Sequence, residues 1–144
     1  MISYLIPLTG IKVSTNRIYA GIHWTKRKKI KDSILDIAAV FFRPIQRILA
    51  YPVEIRYRFI FSSRALDTTN TTFLVKMFED ALRALEIIKD DSPQYVARTV
   101  IEVVVVPRTK NKKAPHDMGQ KKVEKNEDWL EITIKTIKQN LCQI

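Results

Sequence analysis

The sequence predicts an α/β (α+β) fold, with one mixed β-sheet packed against two main helices. Apolar residues alternate with polar ones, or form short β-branched runs, in four segments typical of strands. In two other segments they recur every three or four residues, which is typical of amphipathic helices. The order strand, helix, strand, helix, strand, strand gives a mixed sheet. With 144 residues, 46% of them hydrophobic, the chain can form one core, so residues 1–144 are predicted to be a single domain.

The first strand and the first main helix lie in the amino-terminal third of the chain. A short apolar run at residues 2–6, ended by Pro7, predicts a strand. Residues 9–25 are rich in turn formers and cations and are predicted to form a loop. Apolar residues at helical spacing predict a helix over residues 28–43, which Pro44 ends.

The second strand and the second main helix follow in the middle of the chain. Residues 53–61 alternate between apolar and charged side chains, which predicts a strand with one buried face and one cationic face. A polar loop at residues 62–69 leads to a helix predicted over residues 71–85 with one apolar stripe. The charged residues of the strand are Glu54, Arg56 and Arg58.

The last two strands differ in composition. Residues 99–106 are so rich in β-branched side chains that we expect a central or well-covered strand. Residues 107–128 contain seven Lys/Arg and few apolar residues, which predicts a mobile basic insert rather than a second domain. Alternation resumes over residues 129–137, which predicts a last strand in the same sheet.

The chain is strongly basic. Its 25 Lys+Arg against 15 Asp+Glu give a formal net charge of +10 and predict a polyanionic partner, most often nucleic acid. No apolar run approaches the roughly 20 residues that span a bilayer, so we expect a soluble, cytoplasmic protein without a membrane partner. Cys142 is the only cysteine, which excludes an intrachain disulfide and a cysteine-based zinc site. His23 and His116 are far apart and lack ligand spacing.

Acidic residues concentrate in one region against this basic background. Asp67, Asp80 and the pair Asp90-Asp91 surround Lys76 in sequence. Mg²⁺ prefers oxygen ligands and keeps several waters, so two or three carboxylates and a substrate phosphate suffice to hold it. The same residues also have plain structural explanations. Asp67 suits a helix start or Asx turn, Lys76 with Asp80 suits a surface ion pair, and Asp90-Asp91 suits a turn.

The motifs from Asp67 to Asp91 resemble those of the RusA-like Holliday junction resolvases, many of which are encoded by phages. The resemblance covers about residues 1–106 and rests on four segments. These are Ser14-Thr15-Asn16-Arg17, Arg64-Ala65-Leu66-Asp67-Thr68-Thr69-Asn70, Lys76-Met77-Phe78-Glu79-Asp80-Ala81-Leu82 and Lys89-Asp90-Asp91-Ser92-Pro93.

The resemblance implies a Mg²⁺ site, with Mn²⁺ as an alternative metal. In the family's Asp-x-Asp-Asn loop, Asp67 matches the first aspartate and Asn70 the asparagine, while Thr69 replaces the second aspartate. Lys76 matches the catalytic lysine, with three additional residues before it. Asp91, with Asp90 beside it, matches the third metal-binding element.

The register of this match has one alternative. Counted back from Lys76, the family's aspartate positions fall on Asn70 and Thr72. We prefer Asp67 because it retains a charged ligand. Replacing the second aspartate by Thr69 removes a negative charge, so we expect weaker metal binding, lower activity or a changed preference between Mg²⁺ and Mn²⁺.

The cationic segments provide candidate DNA contacts. Lysine and arginine bind phosphates without reading sequence, and affinity then falls steeply with salt. The resemblance implies branched DNA as substrate, a homodimer with two active sites, and no small-molecule cofactor. Candidate DNA-binding residues are Asn16, Arg17, Lys26, Arg27, Lys28, Lys29, Arg56 and Arg58, together with the insert around residues 110–113. Phe41, Phe42 and Ile45 are candidates for the dimer interface or for the core.

Three functions remain open on the sequence. The first is a metal-dependent endodeoxyribonuclease that cleaves four-way junctions. The second is a nucleic-acid-binding protein of the same fold that has lost cleavage, with Thr69 as the mark of that loss. The third is a small ribosomal or RNA-associated protein.

Overall fold

The computed structural model describes residues 1–62, 64–107 and 127–138. Most of the predicted basic insert, residues 108–126, lies outside them, as do His116 and Cys142. The prediction of a mobile loop therefore falls outside the described residues. The end of the insert is described, and there Asp128 is buried: its carboxylate accepts a hydrogen bond from the Ser62 amide at 2.8 Å and pairs with Lys12 at 2.7 Å.

Within the described ranges, four strands and two main helices form the predicted α+β fold, with a mixed sheet in the order β1-β4-β2-β3. β4 is antiparallel to β1 and β2, and β2 is parallel to β3. A 3₁₀ turn at Thr69–Thr71 precedes the last helix. The elements are β1 (Ile2–Pro7), α1 (Thr15–Tyr19), α2 (Trp24–Phe41), β2 (Val53–Phe61), α3 (Thr72–Ala84), β3 (Val96–Val105) and β4 (Trp129–Thr136).

The core lies between one face of the sheet and the helices. As predicted, one face of β2 is fully buried, and its residues are Val53, Ile55, Tyr57, Phe59 and Phe61. Phe42 joins the layers, since its ring centroid lies 4.7 Å from that of Tyr4 on β1 and 6.3 Å from that of Phe78 on α3. Burial of one such aromatic side chain contributes about 1.5–3 kcal/mol. Phe42 is therefore a core residue, whereas Phe41 and Ile45 are exposed.

Three sequence predictions about secondary structure were wrong. The predicted loop at residues 9–25 contains α1, a helix too short to show a period in sequence. α2 begins at Trp24 rather than residue 28, because the exposed ring of His23 caps it by accepting from the Thr25 amide. β3 is an edge strand rather than a central one: within the described chain it pairs only with β2, and several of its residues are exposed. β-branched composition favours a strand but does not fix its place in the sheet.

The open face of the sheet is a network of paired charges rather than a cationic surface. Glu54 is 1% exposed and pairs with Arg98 and Lys135, the latter at 3.2 Å. Arg56 pairs with Glu102 at 3.3 Å, and Arg58 pairs with Glu131 at 3.7 Å. The carboxylates come from β3 and β4 as well as β2, so the charge balance of this face cannot be read from β2 alone.

No helix in the described ranges has the length and apolar character needed to cross a membrane.

We predict that Glu54→Gln lowers the free energy of unfolding at neutral pH and that this loss becomes smaller in acid. Desolvation alone would raise the pKa of Glu54, but hydrogen bonds from Arg98 and Lys135 outweigh it and hold the pKa below the ordinary value of 4.5. A carboxylate with a lowered folded-state pKa stabilises the fold above its unfolded pKa and loses this effect as the pH falls through the folded pKa. Urea unfolding of parent and variant at pH 7 and at pH 3 measures the difference.

Glu102→Gln is the matched control, because Glu102 lies on the same face but is more exposed and has one arginine partner, Arg56. We expect a smaller loss at pH 7 for this variant. An equal loss for both variants, or a loss for Glu54→Gln that is no smaller at pH 3 than at pH 7, would contradict the assigned role of Glu54.

Candidate active site

Helix α3 carries the candidate catalytic lysine on its outer face. Its inner face is buried against the sheet, which leaves its charged residues on the opposite side. The amino-terminal end is held by Thr15 of α1, whose hydroxyl accepts from the Phe73 amide at 3.0 Å and donates to the Asn70 carbonyl at 3.0 Å. A hydroxyl from another helix therefore caps α3 and fixes its first turn against α1.

Lys76 lies at the centre of a group of charges, which we name the α3 cluster: Lys76, Glu79, Asp80, Arg83, Asp90 and Asp91. The Lys76 Nζ atom lies 2.8 Å from Asp91 Oδ2 and 3.1 Å from Asp80 Oδ1. Arg83 binds the same aspartate from the other side, with its Nη1 atom 3.1 Å from Asp91 Oδ1, and lies 3.7 Å from Asp90. The turn before β3 is thus folded back onto α3 by two cations that share Asp91.

The protonation states of this cluster follow from its contacts. The hydrogen bond to Asp91 raises the pKa of Lys76, and the same bond lowers the pKa of Asp91. Burial raises the pKa of Glu79, which lies 4.0 Å from Lys76 and is 16% exposed. At neutral pH Lys76 is therefore an ammonium and Asp91 a carboxylate.

Asp67 belongs to a second group of residues at the amino-terminal end of α3. Its carboxylate accepts from the Asn70 amide at 2.9 Å and from the Asn70 side chain at 3.0 Å, and the backbone hydrogen bond lowers its pKa. Asn70 in turn accepts from the Asn16 amide at 3.2 Å. This is the Asx-turn arrangement that the sequence allowed as an alternative to a metal ligand.

A basic cleft of about 520 Å³ lies beside this second group. Arg17 and Arg64 line it together with Asp67 and Asn70. The polarity and the two guanidinium groups suit an anion such as a phosphate.

The predicted metal ligands Asp67, Asp90 and Asp91, with the supporting residue Asp80, thus fall into two sets. Asp80, Asp90 and Asp91 meet at the α3 cluster with Lys76, whereas Asp67 bonds to Asn70, with the exposed Thr69 next to it in sequence. No hydrogen bond or ion pair joins the two sets among the described residues. In that part of the chain no three His, Cys, Asp or Glu side chains are grouped as metal ligands. Asp80 and Asp91 nevertheless share one cation, and such a pair of hard oxygen donors fits Mg²⁺.

The predicted DNA-binding cations occupy two different surfaces. Lys26, Lys28 and Lys29 are exposed on the first turns of α2, with no ion-pair partner in the described ranges. Arg56 and Arg58 lie on the open face of the sheet, opposite the helices, and pair with glutamates. The start of α2 therefore carries the uncompensated positive charge that attracts phosphate.

Sequence reasoning gave no role to three residues that shape the site. An arginine seven positions after Lys76 lies on the same helix face, so this spacing could have marked Arg83 as part of the site. Thr15 was one of several polar loop residues, and no sequence signal marks it as the cap of a helix 57 residues later. Tyr19 is an exposed aromatic near the basic start of α2, and its exposure depends on α1, which the sequence did not predict.

Comparison with known proteins gave no match, either to a protein-family model or to a curated protein sequence. The RusA-like assignment and the roles of the site residues therefore stay predictions.

We predict that Asp91→Asn lowers the pKa of Lys76, whereas Asp90→Asn leaves it close to that of the parent. Asp91 provides the largest contribution that raises the lysine pKa, while Asp90 contacts Arg83 and not Lys76. Titration of the lysine side chains by nuclear magnetic resonance, with Lys76→Arg to assign the signal, measures the change. Because these ion pairs are partly exposed, each variant should change the free energy of unfolding by less than about 1 kcal/mol. Equal Lys76 titration curves in the two variants would contradict the geometry of the cluster.

Proposed function

We propose that the protein is a metal-dependent endodeoxyribonuclease of the RusA-like type that cleaves four-way DNA junctions. It would act in the cytoplasm during recombination or phage DNA processing. The observation that best supports this is the meeting of Lys76, Asp80 and Asp91, since one aspartate comes from α3 and the other from the turn before β3, and both converge on the one lysine. The fit of the sequence motifs to the family adds to this support.

Five of the six residues of the α3 cluster have a role in this proposal. The Lys76 ammonium binds the scissile phosphate and stabilises the negative charge that accumulates on its oxygens during cleavage. Asp91 and Asp80 orient the ammonium, and Arg83 keeps Asp91 ionised by binding its other oxygen. Asp91 and Asp80 would hold Mg²⁺, with Asp90 nearby. When bound, the metal would polarise the phosphate and activate water as the nucleophile.

DNA would reach this site along the basic helical side of the molecule. The lysines at the start of α2 and the arginines of the cleft near Asp67 bind backbone phosphates without reading sequence. A four-way junction presents two symmetry-related strands, so the active species would be a homodimer with two sites. Of the candidate interface residues, Phe41 and Ile45 have the exposure that such a role requires.

One feature favours a second function, a junction-binding protein without cleavage. Both oxygens of the Asp67 carboxylate accept hydrogen bonds from Asn70, and the neighbouring Thr69 carries no negative charge. In this alternative the α3 cluster is a structural ion-pair network, and the cationic surface binds branched DNA alone.

We predict that the protein nicks a synthetic four-way junction in Mg²⁺ or Mn²⁺ and that Lys76→Ala lowers the cleavage rate at least about 100-fold, the usual loss for a group that stabilises the transition state. Asp91→Asn should have a similar effect. Cleavage on denaturing gels and junction binding by fluorescence anisotropy provide the two readouts.

Lys89→Ala is the matched control for the loss of a lysine, since the Lys89 ammonium lies over the Tyr95 ring at 5.2 Å and outside the α3 cluster. It should cleave like the parent. Junction binding without nicking in either metal would instead support the alternative function. Preference for structured RNA over junction DNA in competition would count against both.

We also predict that the salt dependence of DNA binding depends on α2 and not on the open face of the sheet. Lys28→Ala should reduce the slope of log affinity against log salt concentration by about 0.9, the value for one lost phosphate contact. Arg58→Ala should leave the slope unchanged, because Arg58 already pairs with Glu131. Anisotropy titrations over a range of NaCl concentrations measure both slopes, and an equal reduction in both variants would show that DNA also covers the sheet.

A further inference from the structure

A cleft next to Lys76 has no role in the mechanism above. It has a volume of about 380 Å³, within the usual range of about 300–1,000 Å³ for small-ligand pockets. α1 and α2 form one side and α3 the other, with Tyr19, Arg27, Lys31, Thr72, Lys76 and Met77 among its lining residues. We name it the Tyr19 cleft.

Tyr19 presents an aromatic ring to this cleft. The residue ends α1 and is 69% exposed. The guanidinium of Arg27 lies over the ring at 5.7 Å from its centroid, so only one ring face is covered by this contact. An exposed aromatic ring backed by an arginine is the arrangement on which single-stranded nucleic-acid bases stack.

The cations of the cleft suit a phosphate group. Arg27 donates from its Nη2 atom to the Ile18 carbonyl at 3.5 Å, while its buried Nε atom has no hydrogen-bond partner in the described part of the chain. Lys31 is exposed one turn further along α2. A buried donor without a partner costs free energy unless a ligand or water accepts from it.

We propose that the Tyr19 cleft binds one unpaired nucleotide next to the phosphate at Lys76. The base stacks on the free face of Tyr19, and Arg27 and Lys31 hold the flanking phosphate. This inference rests on the proposed function and deepens it, because it names the feature of the DNA that is recognised. A base inside a duplex is stacked on both sides and cannot offer its face to Tyr19, whereas a branch point can release one. The cleft would therefore select branched over linear DNA.

Binding measured without metal tests this inference separately from cleavage. Two labelled DNAs of equal length are compared by anisotropy, a four-way junction and a linear duplex. Tyr19→Ala should lower the affinity for the junction about 10-fold, in the range found when one stacked base loses its aromatic partner. Its affinity for the duplex should stay within about twofold, the scatter expected for a change that removes no charge.

Two further variants serve as controls. Tyr19→Phe keeps the ring and should bind the junction like the parent. Leu49→Ala removes an exposed apolar side chain that does not line the cleft, and it should also bind like the parent. Circular dichroism of each variant checks that the fold is retained.

The outcomes separate this inference from the proposed function. If Tyr19→Ala binds and cleaves junctions like the parent, the cleft is not a nucleotide site and the nuclease proposal stands. If Tyr19→Ala weakens junction and duplex binding equally, the cleft makes a general DNA contact and the inference is overturned. If the parent prefers junctions through Tyr19 but does not cleave them in Mg²⁺ or Mn²⁺, the inference stands and the nuclease proposal fails.

Discussion

The candidate site depends on the burial of one face of α3 against the sheet. Phe78 and Leu82 are fully buried on that face, so the helix cannot rotate without exposing them. Because of the 3.6-residue period, this fixes Lys76, Asp80 and Arg83 together on the outside. Only with this orientation can the turn at Asp90-Asp91 reach two cations at once. The hydrophobic core thus determines the electrostatics of the site.

Much of the fold was predictable from local patterns, because strand alternation and helical spacing depend on neighbouring residues. The buried face of β2 and the apolar stripe of α3 were predicted in this way. The edge position of β3 and the burial of Glu54 were not, since both depend on which strands lie side by side. α1 was missed because a helix of five residues shows no period.

Part of the candidate site was also predictable from local sequence motifs. A cluster of Lys76, Asp80 and Asp91 was expected from sequence motifs, and the structure brings these side chains together. Asp67 was expected at the same point but bonds to Asn70, an interaction within four residues that local sequence reasoning had kept open. The contact of Thr15 with the start of α3 joins two distant segments through one hydroxyl, and no composition or spacing indicates such a contact.

The Thr15 hydroxyl also ties together two parts of the surface that differ in chemistry. It anchors α1, which ends at Tyr19, directly to the first turn of α3. That helix begins at Thr72, four residues before Lys76. The backbone positions that carry the aromatic ring and the ammonium are thereby fixed relative to each other by a single side chain. Loss of the Thr15 hydroxyl would loosen both helix ends together, although neither Tyr19 nor Lys76 is altered.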